Sequence, residues 1–328
     1  QELGVPVIVA SQFLCSMLDK PLPLMAEVSD IANAVLDGAN ILMLSEETAI
    51  GAHPFEAMAT MRDVAWNAEK HVAASYEVVI LAAGSSTGFG SLTSNKHKCM
   101  LDVGGTTIIQ HQLQNLAACG ITDDHVTVVT GHNHRQIEAY LKGEGFRGRF
   151  VYNPWYASTN MMVSLWLARP QSNLVVLYGD IIFDRAILAD VLSTKGKAVL
   201  AVDQDSELGP EDEKVVVRNG RIVKGSKDLD PNDCFGEFIG LARFDAKAAH
   251  QLIQAVDARV KAGGLMDFIT ATFEAAAEAG LDLLPCPTQG RPWNDNDCLA
   301  DLDRSRDKVF GEILAAHKVR DEAPTAAR

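Results

Sequence analysis

The chain has no excess of basic residues, no paired cysteines and no long apolar run, and each absence removes a class of function. Twenty-nine Lys and Arg stand against 43 Asp and Glu in 328 residues, a formal charge of −14. Such a chain is not built to bind nucleic acid broadly or to lie on an anionic membrane. A small anionic substrate stays within reach if a local lysine cluster or a metal ion supplies positive charge. The six cysteines, at 15, 99, 119, 234, 286 and 298, include no CxxC pair. That argues against a structural zinc site and for a reduced, cytoplasmic protein. No segment reaches the apolar length of a membrane span. The N-terminus, QELGVPVIVASQ, has no basic n-region and does not read as a signal peptide. It also lacks an initiating methionine, as expected of a chain cut from something longer.

What is present is an ordinary globular composition, 47% hydrophobic and 22% charged, with length enough for two domains. Residues 1–71 read as βαβα. VPVIVA (5–10) is a strand expected to be buried on both faces. Glu27 to Leu36 is a helix stopped at Asp37-Gly38, ILMLS (41–45) is a second strand, and Pro54 opens a helix to about Lys70. A short linker, 72–76, follows. From residue 77 to 328 strands and helices alternate again, which predicts a mixed, mostly parallel α/β sheet. The strands are EVVILAA, HVTVVTG, RFVYN and NLVVLYGD. The helices are Ile108–Ala118, Arg135–Leu141 and Ser158–Ala168. KVVVRNGRIVKG (214–225) carries Asn219-Gly220, a strong hairpin signal because both turn positions need positive φ. EFIGLARF is a further strand. Helices are expected near 246–262, 266–279 and from Leu299 to about His317, with a frayed end in RDEAPTAAR.

In the first segment, PVIVASQFLCSML and AEVSDIANAVLDGANILMLSEETAIGAHPFEAM resemble the end of the pyruvate kinase catalytic barrel. They correspond to its last two βα units, a partial TIM-barrel segment. Ser11 stands where that family has an active-site threonine, and Glu46 where it has glycine. The acidic pair and the lysine that the family uses lie upstream of this stretch, so no independent catalysis is expected of residues 1–71. Two units cannot close an eight-stranded barrel. The open edges call for cover, from a second copy or from a missing part of a longer chain.

In the second segment the loop after the first strand, GSSTGFGSLTSNKHK, is rich in small residues. Such residues let backbone N–H groups approach phosphate oxygens, and Lys96 and Lys98 add positive charge. Asp180 emerges at the end of the most hydrophobic strand, in YGDIIFD. Asp295 and Asp297, in PWNDNDCLADL, precede the last helix. Carboxylates are the hard oxygen ligands that magnesium takes. Of the later two, one is expected to complete a metal site and the other to cap the helix. His132 and His134 form HxH without a third ligand, and zinc is set aside.

LAAG-x5-G, HKCMLDVGGTTIIQHQL, VTVVTGH, VYNPWYASTNMMVSLWLA, YGDIIFD, GEFIGLARF and WNDNDCLADL together resemble the nucleotidyltransferase superfamily, with a Rossmann-like sheet. The likeness is greatest to cytidylyltransferases of the phosphocholine and 2-aminoethylphosphonate type. The resemblance implies Mg2+-dependent transfer of a cytidylyl group from CTP to a small anionic acceptor, with release of pyrophosphate. By position it implies that Leu81, Ala82, Ala83, Gly84 and Ser85 cradle the nucleotide and that Lys98 holds its phosphates. Thr130, Gly131 and His132 line the base pocket. Asp180 binds the metal, with Asp295 or Asp297 as second ligand and Asp267 near an acidic position that some members use instead. Asn160 and Ser164 face the acceptor. Trp155, Tyr156, Glu237 and Trp293 are candidates for holding an acceptor ammonium. Gly88 stands where such loops carry an arginine, and an arginine restored there is expected to raise activity if the gap is a defect. Two alternatives stand beside this reading: a sugar-1-phosphate or alditol-phosphate nucleotidyltransferase, and a non-catalytic nucleotide-binding regulatory module.

Overall fold

A computed structural model describes residues 7–10, 12–73, 76–93 and 96–322. The chain divides into two compact units, residues 1–75 with 324–328, and residues 76–323. Ser11 and the last six residues of the expected frayed end lie outside the described residues.

The first unit consists of β1 (Ile8–Ala10), α1 (Met25–Leu36), β2 (Ile41–Met43), α2 (Glu46–Ala49) and α3 (Pro54–Ala73). β1 and β2 pair in parallel, Ile8 opposite Ile41. Their alternation turns Val9 and Leu42 onto a core of Phe13, Leu14, Met17, Ile31, Ala57 and Met61. Ile8, Ile41 and Met43 on the other face stay 57%, 50% and 47% exposed. β1 is therefore not buried on both faces, because its two-stranded sheet has helices on one side only. The buried Glu47 carboxylate is satisfied by the backbone N–H groups of Leu14 (3.1 Å) and Ser45 (2.9 Å). α3 continues through Ala73 and the next strand starts at Tyr76, so most of the expected linker is regular structure.

The second unit is built on nine strands: β3 (Tyr76–Ala82), β4 (Val126–Thr130), β5 (Arg149–Tyr152), β6 (Asn173–Tyr178), β8 (Ala198–Asp203), β9 (Lys214–Arg218), β10 (Arg221–Ser226), β11 (Gly236–Phe244) and β12 (Leu283–Pro287). Their order is β5-β4-β3-β6-β11-β8-β12-β10-β9. β3, β4, β5 and β6 are mutually parallel, and β12 runs parallel to β8. β11 lies antiparallel between β6 and β8. A separate ribbon joins β7 (Ile181–Phe183) to β13 (Trp293–Asp295), antiparallel, with Asp295 opposite Ile181. The β9–β10 hairpin turns through Asn219 at φ 52° and Gly220 at φ 74°, as its sequence demands.

The covering helices are α4 (Ile108–Ala118), α5 (His134–Gly143), α6 (Met161–Ala168), α7 (Arg185–Ser193), α8 (Ala246–Lys261) and α9 (Phe273–Glu278), followed by a final helix α10 over 299–322. α6 begins three residues later than its pattern suggests, because Asn160 caps it by accepting the Met161 N–H at 2.8 Å. The expected helix over 266–279 is regular only in α9. The Thr272 hydroxyl turns back to the Ile269 carbonyl (2.7 Å), and Ile269–Thr272 forms a 3-10 turn. α10 is interrupted by a π-helical turn at Ser305–Val309. It places Leu302, Val309, Phe310 and Ile313 in one cluster with Phe89, Leu101, Val103, Ile108 and Ile182. No described helix is long and apolar enough to cross a membrane.

Candidate functional site

Parallel strands bring ligands to their carboxyl ends, and here β3 and β6 end side by side. A Cβ at Gly179 would lie 2.7 Å from the Leu81 carbonyl oxygen, so only glycine permits the approach. The next residue, Asp180, is 4% exposed and stands over the edge of the sheet. Asp184 caps α7, accepting the Ala186 N–H at 2.9 Å.

The loop after β3 is held by a histidine that the motif reading passed over. His97 Nδ1 accepts the Cys99 N–H at 3.1 Å, so Nε2 carries the proton and donates to the Gly84 carbonyl at 2.9 Å. Burial, then the adjacent Lys98 charge, lowers its pKa to about 3, so the imidazole stays neutral. Ser86 sits at φ 58°. Its hydroxyl accepts the Lys98 N–H (3.1 Å) and its carbonyl accepts the Thr93 hydroxyl (2.7 Å). These bonds tie Gly84, Ser86, Thr93 and the His97–Cys99 turn together within the described part of the loop. The histidine beside the lysine was the available signal.

A cavity of about 350 Å3 opens over this loop. Leu81, Ala83, Gly84, Ser85, Lys98, Tyr156, Asn160, Ser164, Asp180 and Asp297 contribute to its wall, together with Gly88 and Asn153. Asn153 was not foreseen. Its amide donates to the Ser164 hydroxyl at 3.1 Å and fixes that side chain. Ala82, Thr130, Gly131 and His132 are not part of the wall. Thr130 is fully buried and its hydroxyl reaches the Val151 carbonyl, because an all-buried β4 turns it into the sheet. Gly131 acts by size: a Cβ there would lie 2.4 Å from the Ala83 oxygen and 2.6 Å from Tyr156 Cβ.

Gly88 has a steric reason. A Cβ on it would fall 2.0 Å from the Asp297 carbonyl oxygen. The loop as it stands is packed around a glycine there.

The carboxylates of Asp180, Asp295 and Asp297 converge, with one oxygen from each within 4.8 Å of the others. Lys98 lies between two of them, its ammonium 2.5 Å from Asp180 Oδ2 and 2.6 Å from Asp297 Oδ1. Burial works to lower the Lys98 pKa, but the charges of Asp180, Asp297 and Asp295 outweigh it and raise it. Asp297 shows the reciprocal effect: burial would raise it, and Lys98 lowers it. Burial, then Asp180 and Asp297, pushes Asp295 well above the usual carboxylate range. Asp180 Oδ1 and Asp295 Oδ1 are buried and accept no hydrogen bond. Unsatisfied hard oxygens beside unbalanced negative charge fit a divalent cation such as Mg2+.

Neither late aspartate caps α10. Asp301 does so, accepting the N–H groups of Asp297 (3.2 Å) and Cys298 (2.9 Å). Asp267 stands apart from the cluster, paired with Arg259 in a loop, so it neither starts a helix nor joins the metal set.

A second cavity, of about 170 Å3, shares Met161 and Asp297 with the first. Glu211, Glu213, Glu237 and Asp295 contribute carboxylates, Tyr178, Phe268 and Trp293 contribute aromatic faces, and Lys227 is the one cation. Burial raises Glu213 to about 7 against the pull of the Thr270 hydroxyl, which donates to it at 2.6 Å. Glu237 is raised to about 8, by burial and then by Asp212, Asp203 and Glu213, with Lys227 opposing. Trp155 lies open, 53% exposed, and lines neither cavity.

Replacing Lys98 by Met leaves two facing carboxylates without their cation. Loss of one partner of a buried pair costs about 3–5 kcal/mol. The Lys98→Met chain is expected to show that loss in chemical denaturation at neutral pH, and to regain part of it when Mg2+ is added. Unchanged stability would show that the lysine does not balance the cluster.

Comparison with known proteins agrees with both units. Residues 1–58 match the family model of the pyruvate kinase barrel domain. Pyruvate kinase 2 of Synechocystis sp. is 56% identical over 68 residues, which are 21% of this chain and 12% of that protein. The chain thus spans about an eighth of the length of that curated relative. Among solved structures, the inositol-1-phosphate CTP transferase from T. maritima superposes with a TM-score of 0.61 at 21% identity, covering 73% of this chain and 96% of that one. The CTP:phosphocholine cytidylyltransferase from Streptococcus pneumoniae gives 0.57 at 19%, covering 71% and 98%. At such identities the likeness shows a shared fold. Residues 78–275, more than half of the sequence, match the family model of the MobA-like NTP transferase domain, and the chain belongs to that family of nucleotidyltransferases.

Proposed function

We propose that the chain transfers a cytidylyl group from CTP to a small acceptor that carries a phosphate or phosphonate at one end and an amine at the other. The carrying observation is the pair of adjoining cavities with the three-carboxylate cluster between them. The first has a glycine-serine loop suited to a triphosphate. The second has the carboxylate and aromatic lining that suits an ammonium. CTP is preferred because both solved structures of this fold named above are described as CTP enzymes.

The acceptor oxygen attacks the α-phosphorus in line, and the bond to the β-phosphate oxygen breaks, releasing pyrophosphate. No covalent enzyme intermediate is needed. The chain must hold two anions together and stabilise the charge at the transferring group. Backbone N–H groups of the loop at Gly84–Ser86 hold the triphosphate. Lys98 supplies a fixed positive charge beside it. Asp180, Asp295 and Asp297 would hold Mg2+, which when bound supplies Lewis-acid stabilisation to the phosphates. Tyr156, Asn160 and Ser164, in the wall of the first cavity, face the acceptor, and Glu237 with Trp293, in the second, receives the amine.

Pyrophosphate release from CTP, measured with phosphocholine, 2-aminoethylphosphonate and several sugar phosphates, tests the reading. Turnover is expected with an amine-bearing acceptor, and a loss on the order of 100- to 1000-fold in Asp180→Ala. Silence with every acceptor in the presence of Mg2+ would refute it. Since Glu237 takes up a proton below about 8, an ammonium meets its carboxylate only as pH rises. The acceptor KM is therefore expected to fall from pH 6 to 8, by up to about tenfold per unit, and Glu237→Gln to abolish that slope. At position 88, Arg displaces the Asp297 backbone. Because an ångström-scale shift costs on the order of 100-fold, Gly88→Arg is expected to lose activity, and a gain would contradict the steric account.

A further inference from the structure

We propose that Ser305, at the start of the π-helical turn in α10, is a positioning residue that fixes the backbone carrying Asp180 and Asp295; the inference rests on reading the carboxylates of that cluster as divalent-cation ligands. The segment Trp293–Asp297 alternates in the manner of a strand. Asp295 and Asp297 point to the cluster, while Asn294 and Asn296 point the other way, 4% and 0% exposed. The ladder of β13 with β7 ends at Asp295. Beyond it the segment is held by side-chain bonds. The Asn296 amide donates to the carbonyl of Asp180 at 2.7 Å, tying the late segment to the strand-end aspartate. The Asn294 amide donates to the carbonyls of Asp295 (2.8 Å) and Asp301 (3.0 Å).

One hydroxyl joins the two asparagines. Ser305 Oγ donates to Asn296 Oδ1 at 2.8 Å and accepts from Asn294 Nδ2 at 3.0 Å. Ser305 is wholly buried. A serine there adds neither helix propensity nor apolar burial, and its hydroxyl must be bonded to avoid a penalty. Its backbone is special as well: the Ser305 carbonyl accepts the N–H of Phe310, five residues on. π turns inside helices recur at functional sites. Here the extra residue lets Ser305 face the asparagines while Val309 and Phe310 both enter the core. The chain Ser305–Asn296–Asp180 and the chain Ser305–Asn294–Asp295 thus fix the two sides of the cluster against one helix. Mg2+ demands near-ideal octahedral ligation, so a loosened cluster should lose preference for it.

The test is Mn2+ binding to the full chain, followed by electron paramagnetic resonance, with Mg2+ as competitor and the thermal midpoint recorded for each variant. Groups that orient metal ligands are worth about 10- to 100-fold in affinity. Ser305→Ala is expected to weaken Mn2+ binding by that factor and to lower the Mg2+/Mn2+ preference. Ser305→Cys fills the same space with a far weaker hydrogen bond. It is expected to lose the same affinity, and it carries the test if the alanine variant does not fold. Unaltered Mn2+ affinity in a folded Ser305→Cys chain, whatever its stability, would overturn the inference. If Asp180→Ala has lost binding in the same experiment, only this inference falls. If Asp180→Ala also binds like the unaltered chain, the cation reading of the cluster falls with it.

Discussion

Three carboxylates gathered at one edge of a sheet repel one another, and the arrangement of the second unit follows from that. At 4 Å two such charges interact by about 4 kcal/mol near a protein surface. Lys98 answers part of that repulsion, lying between Asp180 and Asp297. The remainder shows as a raised Asp295 and as two buried oxygens that accept nothing. A nucleotidyltransferase needs such a standing demand for cations, because its substrates arrive as anions that must be brought together. The geometry that maintains the demand comes from distant parts of the chain. The turn between β6 and β7 supplies Asp180, the β7–β13 ribbon carries Asp295, and the turn into α10 carries Asp297. Gly88 lets the phosphate loop pass within contact of the Asp297 backbone.

Much of this was legible in the sequence. The alternation of strands and helices and the Asn219-Gly220 turn appear as read. Asp180 belongs to the cluster because a strand-end carboxylate in an α/β sheet has few places to go. Lys98 was expected beside the nucleotide phosphates, and the structure puts it between two of the three aspartates. What was not legible depends on three-dimensional neighbours. Thr130 looks like a pocket residue by position, yet β4 is buried on both faces and turns its hydroxyl inward. Gly88 looks like a loss of charge until the Asp297 carbonyl is seen against it. The caps of α7 and α10 come from Asp184 and Asp301, because capping is decided by local backbone geometry that several nearby aspartates could satisfy. Ser305 lies in no motif, and His97 and Asn153 lie in quoted segments without being singled out. They work by holding other side chains, and only the bonds they make disclose them.

The first unit obeys a different constraint. Its two parallel strands pack one face on α1 and α3 and leave Ile8, Ile41 and Met43 exposed on the other. In a closed barrel that face would be filled by side chains from the remaining strands. Within the unit, the buried Glu47 carboxylate accepts the backbone N–H groups of Leu14 and Ser45. The first unit contributes a barrel corner, whereas the charged cluster lies wholly in the second unit.

The account turns on which bond of the nucleotide breaks. Phosphorus NMR of the chain with CTP, Mg2+ and 2-aminoethylphosphonate or phosphocholine reads this directly. The account predicts equal growth of pyrophosphate and of a new mixed anhydride joining CMP to the acceptor. Formation of CDP with inorganic phosphate or a phosphorylated acceptor, or an unchanged CTP spectrum with both acceptors, would contradict it.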